Sequence, residues 1–160
     1  DDRTSRGLGD VYKRQQEMWS PKMTILKKRR YRMLLKKNST AVVLLAHGST
    51  DPNWKNPFIE LTKETLRESG LRKVSLAFFE LEKPSLEDII AKLHTEGEKN
   101  IFIFPVLLAN GYHLKVDLPK RLKLLSEKYP GLEFATGSAL IEQLNVRRSI
   151  SELIKQVTFS

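Results

Sequence analysis

Two histidines and one glutamate each follow an apolar run that is typical of a buried β-strand: His47, Glu80 and His113. In an open parallel sheet, ligands bind at the carboxyl ends of the strands. Two imidazoles and a carboxylate form a donor set for a divalent transition metal, and an imidazole can also accept a proton near neutral pH. We therefore predict a metal-binding or proton-transfer site where these three side chains meet.

These residues would be positioned by four strands that alternate with four helices from residue 41 onward. The alternation predicts an α/β fold with a four-stranded parallel sheet. The strands read as continuous apolar runs rather than alternating ones, which predicts that helices cover both faces in a three-layer α/β/α arrangement. The predicted strands are 41–46, 74–79, 101–106 and 132–136.

The helices are predicted near 57–69, 86–96, 118–128 and 141–157 from apolar periodicity and end signals. Ser85 and Asp88 match a capping box at the start of the second helix, and Asp117 is interpreted as the N-cap of the third. The first helix is predicted to turn Phe58, Leu61 and Leu66 inward. In the last helix the predicted apolar stripe consists of Ile150, Leu153, Ile154 and Val157.

Each candidate also has an interpretation without chemistry. His47 could hydrogen-bond its own loop, Glu80 could be a solvated loop acid, and His113 could be structural. His94, near the carboxyl end of a predicted helix, suits the helix dipole and serves as an internal control.

Small residues beside the candidates have the same two interpretations. Gly48 and Gly111 allow a sharp turn near a ligand, or serve loop geometry alone. Ser49 is not interpreted as a nucleophile, because the chain has no Gly-x-Ser-x-Gly motif. No glycine-rich phosphate loop follows any predicted strand, which argues against dinucleotide or nucleoside triphosphate binding.

The charge of the chain is concentrated at one end. Residues 1–40 contain 12 Lys/Arg and 4 Asp/Glu, so they hold +8 of the net charge of +9 among 160 residues. We predict that 1–39 is a basic leader, disordered or non-native, with Met33 as a plausible start. The alternatives are a targeting peptide or a tail that binds a membrane surface or nucleic acid. Residues 40–160 are predicted to form one domain.

The near-neutral body argues against a nucleic-acid-binding face. No apolar stretch reaches the roughly 20 residues of a membrane span. The chain has no cysteine, so a metal would be bound by nitrogen and oxygen alone.

Three sequence blocks, 44–54, 76–87 and 105–119, resemble those of the short CbiX-type sirohydrochlorin chelatases, which insert a divalent metal into a tetrapyrrole. The resemblance implies the chelatase fold. It also implies that His47 and His113 handle the metal and remove protons, and that Glu80 takes the acidic position of the site. Tyr112 departs from the pattern, since many members have a small residue there.

The resemblance further implies Co²⁺, Fe²⁺ or Ni²⁺ as a substrate, no organic cofactor, a cytoplasmic location, and a homodimer that closes the site around sirohydrochlorin. A non-catalytic metal or tetrapyrrole carrier that uses the same site is the alternative. The substrate carboxylates suggest basic anchors near the third loop. The candidate substrate contacts are Gly48, Ser49, Gly111, Tyr112 and Lys115, with Lys120 and Arg121 as further anchors.

Overall fold

The structure, a computed structural model, describes residues 40–158. The predictions made for residues 1–39 lie outside this range. Four strands are present: β1 (Thr40–Ala46), β2 (Val74–Phe78), β3 (Asn100–Pro105) and β4 (Glu133–Thr136). Four α-helices alternate with them: α1 (Asn56–Ser69), α2 (Leu86–Thr95), α3 (Leu118–Lys128) and α4 (Leu144–Thr158).

The strands form one parallel sheet in the order β2-β1-β3-β4, which confirms the predicted α/β class and strand number. The chain passes from β1 to β2 on one side of β1, and it then returns to the other side of β1 as β3. The two connections that leave β1 and β3 therefore diverge, and such a switch point is where open α/β sheets bind ligands. β1 is buried along its whole length between its two neighbours.

One face of the sheet is covered by α2 and α3. Leu86, Ile90 and Leu93 from α2 pack with Leu118 and Leu125 from α3 over the inward side chains of the sheet. The capping box that begins α2 is present as predicted: the Ser85 hydroxyl accepts the Asp88 N–H, and the Asp88 carboxylate accepts the Ser85 N–H.

The opposite face is covered less completely than the sequence suggested. Phe102 and Phe104 on β3 are only half-buried, and α1 has no fully buried residue. The prediction that α1 turns Leu61 and Leu66 inward is wrong, because both are exposed, although Phe58 is half-buried against the ring of Trp54.

The last helix begins later than predicted and carries its predicted apolar stripe on an exposed face. None of its residues is buried, and Ile150, Leu153, Ile154 and Val157 form an exposed apolar row that reaches 73 % exposure at Val157. The periodicity correctly predicted an amphipathic helix, but in the described chain no element packs closely enough on this row to bury it. A short 3₁₀ turn at Leu140–Glu142 delays the start of the helix to Leu144.

The segment before α3 is already helical. A π-helical turn spans His113–Asp117, and the Leu118 N–H donates to the His113 carbonyl across it. Asp117 precedes α3 as predicted, but its side chain makes no capping hydrogen bond, which corrects its interpretation as an N-cap. Among the residues described, no helix is long and apolar enough to cross a membrane.

Candidate metal-binding site

The pairing of β1 with β2 continues past the strand ends and sets His47 beside Glu80. The Phe79 N–H donates to the Ala46 carbonyl at 2.9 Å, and the Glu80 N–H donates to the His47 carbonyl at 3.1 Å. On the other side of β1, the Val106 N–H donates to the Leu45 carbonyl at 2.9 Å. Both neighbours of β1 are thus held in register up to the point where the candidate residues begin.

Gly48 lets the loops after β1 and β2 approach each other closely. Its φ is +105°, a conformation that favours glycine, and a Cβ at this position would lie 1.8 Å from the Glu80 carbonyl oxygen. The glycine predicted as a possible substrate contact therefore lies against the backbone of Glu80.

The turn after Glu80 is strained. Leu81 has φ +61°, and the Glu82 N–H donates to the Glu80 carbonyl at 2.8 Å, which closes a γ-turn around Leu81. Positive φ is costly for a branched apolar residue, and such strain concentrates at functional sites. The turn leaves Leu81 63 % exposed beside the candidate acid.

An ion pair ties the same turn to the loop after β1. The Glu82 carboxylate accepts hydrogen bonds from the Lys83 N–H at 3.0 Å and from Lys55 Nζ at 3.2 Å. These two donors, the backbone N–H foremost, lower the pKa of Glu82. The loops that present His47 and Glu80 are therefore joined by side chains as well as by the strand ladder.

His113 reaches the same point from the π-helical turn that follows β3. Its ring lies edge-on to the His47 ring, with centroids 4.9 Å apart and an interplanar angle of 82°. Its other neighbour is the buried Phe79 ring, also with centroids 4.9 Å apart. The two histidines, which lie far apart in the sequence, are thus in direct contact.

Glu80 Oε1 lies between the two imidazoles. It is 3.5 Å from His47 Nε2 and 3.8 Å from His113 Nε2. One ligand atom from each residue lies within 4.8 Å of the others, which is close enough to hold one metal ion. The side chains are 30–50 % exposed, so the cluster opens to solvent.

A second layer of charged groups lies behind His113. Asp117 Oδ2 is 3.6 Å from His113 Nδ1 and 3.6 Å from the Arg121 guanidinium. Arg121 also donates to both carboxylate oxygens of Glu87 at 2.8 and 2.5 Å, and to the Phe79 carbonyl at 3.0 Å. The hydrogen bonds between Arg121 and Glu87 raise the pKa of the arginine and lower that of the glutamate.

From the sequence alone, Arg121 was interpreted only as a possible substrate anchor and Asp117 only as a helix cap. Asp117 and Arg121 follow His113 at successive spacings of four residues, which places all three along one side of a helical segment. That spacing is the signal that would have found them. Because the guanidinium of Arg121 is bound to Glu87 and only 16 % exposed, its interpretation as an anchor for substrate carboxylates is corrected.

The other predicted contacts lie around the cluster with different roles. The Ser49 hydroxyl accepts the Asp51 N–H at 3.1 Å, and the Gly111 carbonyl accepts the Lys115 N–H at 3.1 Å. The side chains of Lys115 and Tyr112 are exposed, the latter at 71 %. His94 lies apart from the cluster, with its ring 4.7 Å from that of Tyr129.

Comparisons with known proteins agree with this architecture. The family model described as CbiX matches residues 41–157. The sirohydrochlorin cobaltochelatase of Saccharolobus solfataricus is 31 % identical over 121 residues, which cover 72 % of this chain and 91 % of the relative. The cobaltochelatase of Methanopyrus kandleri is 38 % identical over 88 residues, 54 % of this chain.

Several of these matches are partial. The aligned segment spans 61 % of the Methanopyrus kandleri protein and 62 % of the Saccharolobus islandicus cobaltochelatases, so less than two thirds of those relatives is covered.

Two solved structures share the fold. A CbiX protein from Marinobacter aquaeolei VT8 superposes with a TM-score of 0.67 at 26 % identity, covering 74 % of this chain and 97 % of its own. The sirohydrochlorin chelatase SirB from Bacillus subtilis subspecies spizizenii, solved with cobalt, gives a TM-score of 0.60 at 20 % identity, covering 64 % of this chain and 44 % of its own.

Proposed function

Because the chain belongs to the CbiX family, we propose that it inserts a divalent metal ion into sirohydrochlorin, with His47, Glu80 and His113 as the site of insertion. The observation that supports this most directly is the convergence of their three ligand atoms within 4.8 Å at the switch point of the sheet. Both metal and macrocycle are substrates in this reaction.

The spacing of the cluster suits the coordination of one divalent metal ion. Zinc-like ions bind imidazole and carboxylate at about 2.0–2.2 Å, so two ligands at a tetrahedral angle are roughly 3.4 Å apart. The Glu80–His47 and Glu80–His113 separations of 3.5 and 3.8 Å are close to this value. Three protein ligands leave further coordination positions open, through which pyrrole nitrogens replace water.

Insertion must also remove protons. The free macrocycle loses two pyrrole N–H protons as the dication enters, so charge is conserved when two proton acceptors are available. His47 and His113 present Nε2 to the same point, and imidazole is suited to accept a proton near neutral pH. In this proposal Glu80 offsets part of the cation's charge and passes protons to solvent.

Exposed apolar side chains beside the cluster suit a flat macrocycle. Leu81 adjoins Glu80, Tyr112 adjoins His113, and Leu108 lies in the loop before it, all more than 60 % exposed. We assign them to the face of the tetrapyrrole, and Lys115 to one of its carboxylates. Gly48, Ser49 and Gly111 shape the loops beneath.

We further propose that two copies of the chain form a dimer. The cluster occupies one exposed wall, whereas a tetrapyrrole has two broad faces, and a second copy would cover the other. The exposed apolar row of α4 (Ile150, Leu153, Ile154 and Val157) is the surface that we assign to this association. We also propose that the protein is located in the cytoplasm.

The test is an anaerobic chelation assay with sirohydrochlorin and Co²⁺, Ni²⁺ or Fe²⁺, followed by the absorption spectrum. We expect multiple turnovers, with Co²⁺ accepted. His47→Ala and His113→Ala should each lower the rate at least about 100-fold, since each loses a ligand and a base. His94→Ala is the matched control and should retain the wild-type rate.

Full activity in either site variant would refute the assigned roles. Binding of metal or macrocycle without turnover beyond one equivalent would instead favour the alternative function, a non-catalytic metal or tetrapyrrole carrier. The three metals are compared at equal free concentration, because a nitrogen and oxygen site of this kind accepts several divalent ions.

A further inference from the structure

One ring nitrogen of the metal site is buried without a hydrogen bond. His113 Nδ1 has no hydrogen-bond partner within the described part of the chain, although it is inaccessible to solvent. Buried polar atoms of this kind are rare in folded proteins, because burial removes them from water without a replacement hydrogen bond. The nearest charged group is the Asp117 carboxylate, whose Oδ2 is 3.6 Å away.

The two ring nitrogens of His113 face different groups. Nε2 faces Glu80 Oε1 and the metal cluster, whereas Nδ1 faces Asp117. A neutral imidazole has one N–H donor and one lone pair, and a carboxylate can only accept. A proton on Nδ1 therefore matches Asp117 and leaves the lone pair on Nε2, where a metal or a pyrrole proton would be bound.

Asp117 is itself held in place. Its Oδ2 lies 3.6 Å from the Arg121 guanidinium, which is fixed by two hydrogen bonds to Glu87 and one to the Phe79 carbonyl. The Phe79 ring contacts the His113 ring and also lies near the guanidinium, whose carbon is 5.6 Å from the ring centroid. Asp117 thus lies beside His113 Nδ1, and both Asp117 and Phe79 adjoin Arg121.

We propose that Asp117 is a positioning residue for the metal site: it accepts the Nδ1–H of His113 and so fixes the imidazole with its Nε2 lone pair toward Glu80 and His47, while Arg121 and Glu87 hold Asp117 in place. The inference rests on the proposed function of His113. Ligating histidines commonly donate their second ring N–H to a carboxylate, and loss of that partner weakens metal affinity or activity by about 10–100-fold.

The test compares Asp117→Asn with Glu127→Gln in the full chain. Asparagine keeps the shape of Asp117, but its amide can donate to Nδ1 and so favours a proton on Nε2. Glu127 is exposed on α3, the helix that follows Asp117, and its variant removes the same charge. Two measurements are made. The first is the ¹⁵N NMR chemical shifts of the His113 ring in metal-free protein, recorded at a pH well above the ordinary histidine pKa. The second is the affinity for Co²⁺ alone, measured by visible absorption.

We expect the proton on Nδ1 in the wild type and in Glu127→Gln, and on Nε2 or on both nitrogens in Asp117→Asn, together with about 10–100-fold weaker Co²⁺ binding. A wild-type ring protonated on Nε2 would overturn the proposal, and this measurement needs no variant to fold. An Asp117→Asn protein with the wild-type tautomer and Co²⁺ affinity would also overturn it.

His113→Ala separates this proposal from the function on which it rests. If His113→Ala binds Co²⁺ and inserts it like the wild type, the assigned site fails. If His113→Ala is impaired while Asp117→Asn is not, only the positioning role of Asp117 fails.

Arg121→Lys tests whether the arginine holds Asp117 in place. We expect about 3–10-fold weaker Co²⁺ binding, because lysine cannot bridge Glu87, Phe79 and Asp117 at once.

Discussion

Gly48 has no room for a side chain, because the backbone of Glu80 lies directly against it. We predict that Gly48→Ala weakens Co²⁺ binding at least about 10-fold, because a Cβ 1.8 Å from the Glu80 carbonyl oxygen would push Glu80 away from the histidines. The variant should also lose about 1–2 kcal/mol of unfolding free energy from the positive φ alone. Titration with Co²⁺ and denaturation with urea measure the two effects.

Gly97→Ala is the matched control for this prediction. Gly97 also has positive φ, +82°, but a Cβ there meets no atom within 4 Å, and the residue follows α2 rather than the cluster. It should lose a similar amount of stability from strain and retain Co²⁺ affinity. Equal affinity in both variants would show that the contact between Gly48 and Glu80 does not position the metal ligands.

At this scale the sequence predicted the clustered residues better than the side chains around them. The clustering of His47, Glu80 and His113 was predictable because each follows a strand and because all three are residue types that can bind metals. Asp117 was assigned to a helix cap, since aspartate before a proline-containing turn usually has that role. Its alternative role depends on the π-helical turn, which no local pattern of residue types specifies.

Three carboxylates in or just after α2 have a lowered pKa. Lys83, together with the N–H and hydroxyl of Ser85, lowers the pKa of Asp88 from 3.8 to about 2. Hydrogen bonds to Arg121 and Lys73 lower the pKa of Glu87 and Glu96, respectively. A group with a lowered pKa in the folded state adds stability above its unfolded pKa and loses it as the pH falls through the folded value.

We therefore predict that the unfolding free energy falls as the pH decreases from about 4 toward 2, and that Asp88→Asn makes this decline shallower. The urea midpoint, measured across that range, gives the slope for wild type and variant. Glu127→Gln, which removes an exposed acid on α3, should follow the wild-type curve. A variant curve parallel to the wild type would contradict the role given to the Asp88 hydrogen bonds.

Among the elements, those with strong local signals were predicted well. The capping box of α2 was predicted from residue types, and the sequence of alternating strands and helices was predicted from apolar runs. The burial of α1 and α4 did not follow, because periodicity shows that a helix has an apolar side and says nothing about what packs against it.

On the scale of the described molecule, the apolar row of α4 is a surface that no other described element covers. We predict that the wild type is a dimer by light scattering and that Leu153→Glu shifts it toward the monomer, because a charge at the apolar row of α4 would be costly to bury. The loss of the second wall should raise the KM for sirohydrochlorin more than it changes Co²⁺ binding.

Glu152→Gln is the control for this change, since Glu152 is an exposed polar neighbour on the same helix. It should remain dimeric with an unchanged KM. A wild-type chain that is monomeric at assay concentrations yet fully active would contradict both the dimer and the need for a second wall.

The three candidate ligands come from three successive strand-and-helix units, and the strand in the middle of the set is the first in the chain. In the proposed site, a Co²⁺ complex that uses all three ligands requires both long-range pairings of β1, and long-range strand pairings are slow to form. The ion would then bind the native chain in preference to the unfolded one and stabilise it by mass action. The colour of bound cobalt would thus report when both pairings of β1 are complete during refolding.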